Sequence, residues 1–178
     1  MPGPASALLT LMAGVALADA IREATGLVVD IKWPNDLMVG RRKLAGILAE
    51  GASQGASFDY IVLGFGINLR AAAYPADVAA RATSIETELG RPIDRGALLA
   101  RALVNLSKVR TALAEDLTAG VINRWRELAP SAVGSSVEWQ TGAGLRRGVT
   151  AGVDSSGALL VDVAGSTERV TAGEITWT

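Results

Sequence analysis

The stretch "IKWPNDLMVGRRKLAGILAE", Ile31 to Glu50, predicts the central part of the fold. Strand-forming runs, "LVVDIKW" and "KLAGILAEG", lie on either side of a short "LMV" run. Pro34 ends the first strand, because proline has no amide hydrogen and keeps the residue before it extended. Gly40 supplies the unusual dihedral of a tight turn before the third strand. We therefore expect three strands joined by turns, with two lysines whose place in a sheet needs a reason.

A fourth strand is predicted from "DYIVLGFGINL", after a flexible loop from Gly51 to Ser57. Strand alternation puts one set of side chains towards the core: Ile61, Leu63, Phe65, Ile67 and Leu69. The opposite set is Tyr60, Val62, Gly64, Gly66 and Asn68. Glycines within a strand mark a bulge, tight sheet packing or the close approach of a ligand. The sequence leaves these alternatives open.

The apolar segment from Leu8 to Ala20 resembles a signal peptide in its A-x-A ending. No lysine or arginine precedes it, and the apolar run stops at Asp19, short of the roughly 20 residues that span a bilayer. Its larger side chains follow helical spacing: Leu8, Met12, Val15 and Ile21. We therefore expect a buried helix that is capped by Ser6 and ended by Gly26.

Helices are predicted between residues 83 and 130. Thr83 to Glu86 fits a capping box for a short helix that Gly90 ends. Asp94 caps a longer helix, and a last helix from Val121 to Leu128 ends at Pro130. The apolar stripe predicted for the longer helix consists of Leu99, Leu103, Leu106 and Leu113.

From Ser131 onward, short strand-like pieces alternate with Gly, Ser and Asp, which is typical of a small β-barrel. The sequence therefore predicts an α/β domain over residues 1–130 and a small β domain over residues 131–178.

The composition excludes several kinds of chemistry. The 178 residues contain no cysteine and no histidine, which rules out disulfides, the usual Cys/His zinc sites, and Ser-His-Asp or Cys-His catalysis. The formal net charge of −1 and the lack of a basic run give nucleic-acid binding little support. The absence of cysteine suits a reducing cytoplasm. Catalysis would have to use lysine, arginine, carboxylates, backbone amides or a hard metal.

Lys43 is the first candidate for such chemistry. Alternation puts it on one face with Ala45, Ile47 and Ala49, and Gly46 opens the backbone beside it. The small neighbours would let the Lys43 ammonium bind an anion. A lysine at a solvated strand edge would show the same spacing, so both interpretations remain open. Lys32 has the same two interpretations. The pair Asn35-Asp36 is typical of a turn. Alternatively, Asn35 could hydrogen-bond a ribose or a phosphate, and Asp36 could bind Mg²⁺.

The motifs "KWPNDL", "RKLAGIL" and "VLGFGINL", in this order, resemble the biotin protein ligases, also called biotin–acetyl-CoA-carboxylase ligases. "TSI" at Thr83 and the closing "TAGEI" agree with that family. The resemblance implies a biotin/lipoate ligase-like α/β catalytic domain, with a mixed sheet and helices, followed by an SH3-like β-barrel. It also implies that biotin and ATP give biotinyl-5′-adenylate, from which biotin passes to a lysine of a biotin carboxyl carrier domain. Lipoate ligases share that fold but not "KWPNDL".

The resemblance implies the roles of individual residues. Lys43 would be the catalytic residue, between the biotin carboxylate and the α-phosphate, and Asp36 would lie near Mg²⁺. The residues implied to bind substrate or nucleotide are Lys32, Trp33, Asn35, Asp36, Gly46, Gly66 and Asn68.

One part of the family pattern has no counterpart here. The family's ligand loop, of the G-R-G-R-x-G-R kind, lies upstream of the first predicted helix, and nothing in this chain matches it. We therefore expect a later part of a ligase, from a misplaced start or a partial paralogue, that adenylates biotin weakly or not at all. An apolar sheet edge left by missing strands would favour a homodimer. The alternatives are a non-catalytic binding or assembly fragment and a lipoate-type ligase.

Overall fold

The computed structural model describes residues 4–54, 57–71, 75–115, 117–142, 144–173 and 175–178. In the first part of the chain the elements are α1 (Pro4–Thr25), β1 (Asp30–Lys32), β2 (Asp36–Val39), β3 (Arg42–Gln54), β4 (Ser57–Ile67), α2 (Ala76–Ala79), α3 (Ile85–Leu89), α4 (Arg95–Ala114) and α5 (Thr118–Leu128). A 3₁₀ turn (Pro130–Ala132) then leads into β5 (Val133–Thr141), β6 (Gly144–Val153), β7 (Leu159–Val163), β8 (Ser166–Val170) and β9 (Ile175–Trp177).

The first sheet is antiparallel, in the order β1-β2-β3-β4, so the four strands predicted around the opening stretch are confirmed. The mixed sheet that the resemblance implied is not seen among the described strands, because short connections join each strand to the next and make neighbours antiparallel. The predicted loop from Gly51 to Ser57 is wrong at both ends. Gly51 pairs with Ile61, the ladder continues to Gln54 opposite Ser57, and residues 55–56 lie outside the described part of the chain. The ladder to β4 outweighs the weak strand propensity of these small residues, because strand formation depends on cross-strand pairing more than on intrinsic preference.

Helix α1 covers the inner face of the first sheet, and the buried helix predicted there is confirmed. Its fully buried side chains include Leu11, Met12, Leu17 and Ile21. The helix starts at Pro4, so Ser6 lies within its first turn and is not the cap that the sequence predicted. Gly26, with φ of 79°, ends the helix, and its amide donates to the carbonyl of Arg22 at 2.8 Å. Within the described residues, no helix is long and apolar enough to cross a membrane.

Two predictions about the later helices need correction, the capping box of α3 and the leucine stripe of α4. The N-cap of α3 is Ser84, whose side chain accepts from the amide of Thr87, so the capping box is not centred on Thr83. Gly90 ends α3 with φ of 65°, and Asp94 caps α4, both as predicted.

The buried face of α4 is Leu98, Ala102, Asn105 and Val109. Leu99 and Leu103 are about half exposed, while Leu106 and Leu113 are half-buried. The face is rotated from the predicted leucine stripe because α4 packs against α1, where Asn105 donates to the carbonyl of Ala16 at 3.5 Å.

The second sheet is antiparallel, in the order β8-β7-β6-β5-β9, and contains the short strands predicted after Ser131. Among the described residues β8 and β9 do not pair, so a closed barrel is not seen. One hydrophobic core runs through both sheets, with Ile31 and Leu37 from the first and Val137 and Leu159 from the second. The Trp33 indole N–H donates to the carbonyl of Gly157 at 3.0 Å and joins the "KWPND" turn to the second sheet.

Candidate functional site

A β-bulge decides which way Lys43 points. Leu37 pairs with Ala45, but the next residue of β2, Met38, pairs with Lys43, so Leu44 is an extra residue in β3. Leu44 and Ala45 are both buried, whereas the Lys43 ammonium lies over Gly46 on the outer face. The predicted shared face of Lys43 with Ala45 and Ile47 is therefore wrong, because an inserted residue interrupts strand alternation.

Lys43 forms an ion pair with Asp36. The Lys43 Nζ is 2.5 Å from the Asp36 Oδ1, with the lysine side chain 48% exposed and the aspartate side chain 22% exposed. Asp36, Gly46 and Gly66 lie opposite one another in a single row across β2, β3 and β4. Because a half-exposed ion pair contributes only about 0–1 kcal/mol, its main effect is to place the ammonium above this row.

The backbone of Lys43 is held by a segment from further along the chain. Its amide donates to the carbonyl of Arg81 at 2.7 Å, and the amide of Thr83 donates to the carbonyl of Lys43 at 2.9 Å. The Asn68 side-chain amide braces this contact by donating to the carbonyls of Thr83 at 3.0 Å and Lys43 at 3.5 Å. The Thr83 hydroxyl donates to Glu88, which also pairs with Arg42 at 2.8 Å. The "TSI" segment thus fixes the strand beside the lysine.

The Asn35 side-chain amide also hydrogen-bonds to the backbone. It donates to the carbonyl of Ile47 at 2.8 Å, while the amide of Ile47 donates to the carbonyl of Asn35 at 2.9 Å. The structure therefore places the amide donors of both Asn35 and Asn68 on backbone carbonyls. Their predicted contacts to a nucleotide stay predictions, and their observed contacts shape the turn and the lysine strand.

A cavity of about 450 Å³ opens at this point, within the size range of small-molecule sites. Six of the residues predicted from the sequence line it: Lys32, Asp36, Lys43, Gly46, Gly66 and Asn68. Trp33 and Asn35 instead line a smaller cavity of about 150 Å³ together with Ile47 and Leu48. Trp33 is only 3% exposed. The structure thus brings six of the eight together and places the other two beside them.

Sequence reasoning missed two arginines that line the larger cavity, Arg41 and Arg81. Arg41 had a local signal, since it lies in the turn two residues before Lys43. Arg81 had none, because only the pairing of its segment with Lys43 brings it to the site. The site is therefore more cationic than the motif alone indicates.

A second cavity, of about 470 Å³, lies between the two sheets and shares Lys32, Met38 and Arg41 with the first. The Lys32 Nζ is 5.9 Å from the centre of the Trp177 ring, within the range of a cation–π contact. Lys32 therefore stands in the wall common to both cavities.

Beyond Gly46, the outer face of β3 and β4 is mostly apolar, with the exposed Glu50 opposite Val62. Leu48, Tyr60 and Val62 are 57%, 60% and 58% exposed, and Gly64 lies opposite Leu48 and next to Val62 on the same face of β4. The predicted alternation of β4 is confirmed here, since Leu63, Phe65 and Ile67 pack against the core. An exposed apolar strip thus adjoins the cationic cavity.

The carboxylates that the structure describes do not make a resident magnesium site. No group of three or more acidic, histidine or cysteine side chains that could hold a metal occurs in the part of the chain that the structure describes. Asp36 supplies one carboxylate, and its Oδ1 already contacts Lys43. Mg²⁺ requires about six oxygen ligands, several of which phosphates and water commonly supply. These residues do not fit a protein-only Mg²⁺ site.

Comparisons with known proteins agree with this architecture. The sequence model of the Biotin/lipoate A/B protein ligase family matches residues 2–68. The biotin–[acetyl-CoA-carboxylase] ligase of Paracoccus denitrificans is 30% identical over 176 residues, which cover 96% of this chain and 73% of that protein. The bifunctional ligase/repressor BirA of Salmonella typhimurium is 32% identical over 174 residues, which cover 97% of this chain and 54% of BirA. The chain thus spans about half the length of BirA.

The fold has a clear counterpart among solved structures. The apo biotin protein ligase from Aquifex aeolicus superposes with a TM-score of 0.84 at 24% identity, over 98% of this chain and 76% of that one. The same ligase in complex with biotin and ATP gives a TM-score of 0.81 over 97% and 71%. At this identity the likeness establishes the fold, and the Paracoccus relative establishes the family. The chain therefore belongs to the biotin protein ligase family.

Proposed function

We propose that this chain carries the adenylation chemistry of a biotin protein ligase, with biotin and ATP as substrates. The observation that carries the proposal is the Lys43 ammonium, held in a cationic cavity beside an open glycine row and an apolar strip. Biotin has a carboxylate on an apolar body, and ATP has a polyanionic tail. The apolar strip suits the body of biotin, and the cationic cavity suits its carboxylate and the phosphates of ATP.

The proposed reaction needs charge more than proton transfer. The biotin carboxylate attacks the α-phosphorus of ATP, the bond from that phosphorus to the bridging oxygen breaks, and pyrophosphate leaves with the electron pair. Two anions must approach closely, so a fixed cation between them lowers the repulsion. Lys43 supplies that charge and stabilises the charge that develops on the phosphorus oxygens in the transition state.

The second step transfers biotin to a carrier. The amine of a lysine on a biotin carboxyl carrier domain attacks the acyl carbonyl of the adenylate, an amide forms and AMP leaves. The Paracoccus relative is named a biotin–[acetyl-CoA-carboxylase] ligase, and this name supports a carboxylase's biotin carrier domain as the partner.

The remaining residues receive roles that follow from their places. Gly66 leaves the sheet surface open for the ligand, while Lys32 and Arg41 face the phosphates from the wall between the two cavities. Asn35, Asn68 and the buried Trp33 hold the strands and turn that present Lys43. Any Mg²⁺ would come bound to the ATP phosphates, and Asp36 is the carboxylate that lines the cavity in the described part of the chain.

The two parts of the chain receive separate assignments. We assign residues 1–130 to the catalytic domain and residues 131–178 to an SH3-like module, on the basis of the separate five-stranded antiparallel sheet in the second part. The outer edge of β4 has no ladder partner within the described residues, and such an edge is suited to a homodimer.

A second candidate function is a binding or assembly module without turnover. It is favoured by one observation, since the 178 residues contain no Gly/Arg-rich segment of the family's ligand-loop kind. On this ground we expect slow adenylation by the chain alone. An intact fold by circular dichroism, together with no biotin binding by isothermal titration calorimetry, would favour the second candidate.

The test is pyrophosphate release with biotin and ATP. We expect Lys43→Ala to lower turnover by about 10²-fold or more, as the loss of a transition-state charge contact does. The control is Lys108→Ala, because Lys108 lies on α4 and donates to Asn105 away from the cavity. Equal turnover of the Lys43→Ala variant and the parent would remove Lys43 from the mechanism. Competition between biotin and lipoate tests the lipoate-type alternative.

A further inference from the structure

We infer that Gly46 is a positioning residue for Lys43, because its missing side chain leaves open the path by which the Lys43 side chain runs along β3 to reach Asp36. The resemblance implied only that Gly46 binds substrate or nucleotide. The inference rests on the proposed function for its catalytic consequence, whereas the placement of Lys43 does not depend on that function.

The space above Gly46 is filled by Lys43. A Cβ built on Gly46 would lie 3.3 Å from both the Cε and the Nζ of Lys43, and 3.8 Å from the Asp36 Oδ1. A Cβ contact of 3.3 Å is tight, and a branched side chain would extend into the volume that the lysine stem and ammonium occupy. The ion pair and a side chain at position 46 therefore compete for the same space.

The other glycines of the row and strip do not share this requirement. A Cβ on Gly66, directly opposite Gly46, would meet no atom of the described residues within 4 Å. A Cβ on Gly64 would meet only the carbonyl oxygen of Leu48, at 3.8 Å, which is an ordinary contact. The bare face of the sheet is therefore open at Gly64 and Gly66 but already occupied at Gly46.

The bulge explains why this path is needed. Leu44 displaces Lys43 from its expected alternation, so its side chain starts on the outer face of β3 and must run along the strand to meet Asp36 on β2. A residue with a side chain at position 46 would direct the ammonium into solvent. The lysine would keep its charge but lose its fixed position.

The test measures the reactivity of Lys43 without any nucleotide. The chain has three lysines, and cleavage at arginine separates them into peptides 23–41, 43–70 and 102–110, with one lysine in each. Limited acetylation with an N-hydroxysuccinimide ester, followed by mass spectrometry, gives the rate at Lys43 relative to Lys108. The Lys43 ammonium must leave the Asp36 carboxylate and lose a proton to solvent before its nitrogen can attack the ester, so the rate reports the ion pair.

We expect Gly46→Val to raise the relative rate at Lys43 by about two- to five-fold, matching Asp36→Asn, since that is the range of a half-exposed ion pair. The two changes together should raise it no further, because both remove the same contact. Valine is chosen because it is favoured in strands. Gly64→Val is the matched control, and we expect it to leave the labelling rate at Lys43 unchanged. Gly46→Ala should give a smaller rise, and it replaces Gly46→Val if thermal unfolding shows that the valine variant does not fold.

An unchanged rate in the folded Gly46 variants, with a raised rate in Asp36→Asn, would overturn the inference. Turnover gives a separate readout. In the parent background Gly46→Val should lower kcat for adenylation, and in the Lys43→Ala background it should have no further effect. If the labelling changes as expected but even the parent forms no adenylate, the positioning role stands and the proposed function fails.

Discussion

The hydrogen bond between Trp33 and Gly157 links the candidate site to the second sheet, and Trp33→Phe tests it. Trp33 is almost fully buried, and its indole N–H donates to the Gly157 carbonyl at 3.0 Å. Gly157 cannot easily shift to find another donor, because it has φ of 85° and a Cβ there would lie 3.1 Å from the backbone nitrogen of Leu8. Phenylalanine keeps an aromatic ring but removes the donor.

Two terms add up in this variant. Leaving the buried carbonyl without its donor costs about 1–3 kcal/mol. The smaller ring adds about 1–2 kcal/mol for lost packing, which is less than a full truncation of a core aromatic side chain. The free energy of unfolding should therefore fall by about 2–5 kcal/mol.

Trp125→Phe is the matched control, because Trp125 is fully buried and its indole N–H has no hydrogen-bond partner among the described residues. It should lose only the packing term. Urea unfolding followed by circular dichroism gives both free energies, and each kcal/mol corresponds to about 2–4 °C in Tm for a chain of this size. If the two variants lose equal stability, the hydrogen bond does not hold the sheets together.

Three further predictions concern stability. The pKa of Asp154 is lowered, because burial raises it but hydrogen bonds from Ser156 and Arg169 lower it by more. The ionised carboxylate therefore stabilises the folded state above the unfolded-state pKa, near 3.9, and this stabilisation is lost as the pH falls through the lower folded-state pKa. Asp154→Asn should cost about 1 kcal/mol at pH 7, with the gap to the parent closing in acid, and a pH-independent gap would contradict this. Asn68→Asp puts a carboxylate against the Thr83 carbonyl and should cost about 1–3 kcal/mol in urea unfolding, whereas a neutral result would mean that the brace is dispensable. Ser84→Ala removes the α3 cap and should lower the melting temperature through a loss of about 1 kcal/mol, while an unchanged Tm would show that the cap does not matter.

The local elements were predictable because their signals are local. Gly26 and Gly90 end helices in the left-handed conformation, and Asp94 caps α4 with its own side chain. The four strands around the opening stretch follow from their apolar runs and turn residues. The motif also identified six residues that line one cavity.

Packing between elements decided the rest. The buried face of α4 depends on how the helix lies on α1, which leucine spacing does not specify. Arg81 reaches the cavity only because its segment pairs with Lys43.

The direction of Lys43 is the clearest case of this division. From the sequence alone, a lysine, an aspartate and a glycine are expected close together on two neighbouring strands. That they meet on one face follows from the tertiary structure, because the bulge at Leu44 depends on the register between β2 and β3. Register is set by pairing and burial across the whole sheet, and a shift of one residue moves a side chain to the opposite face.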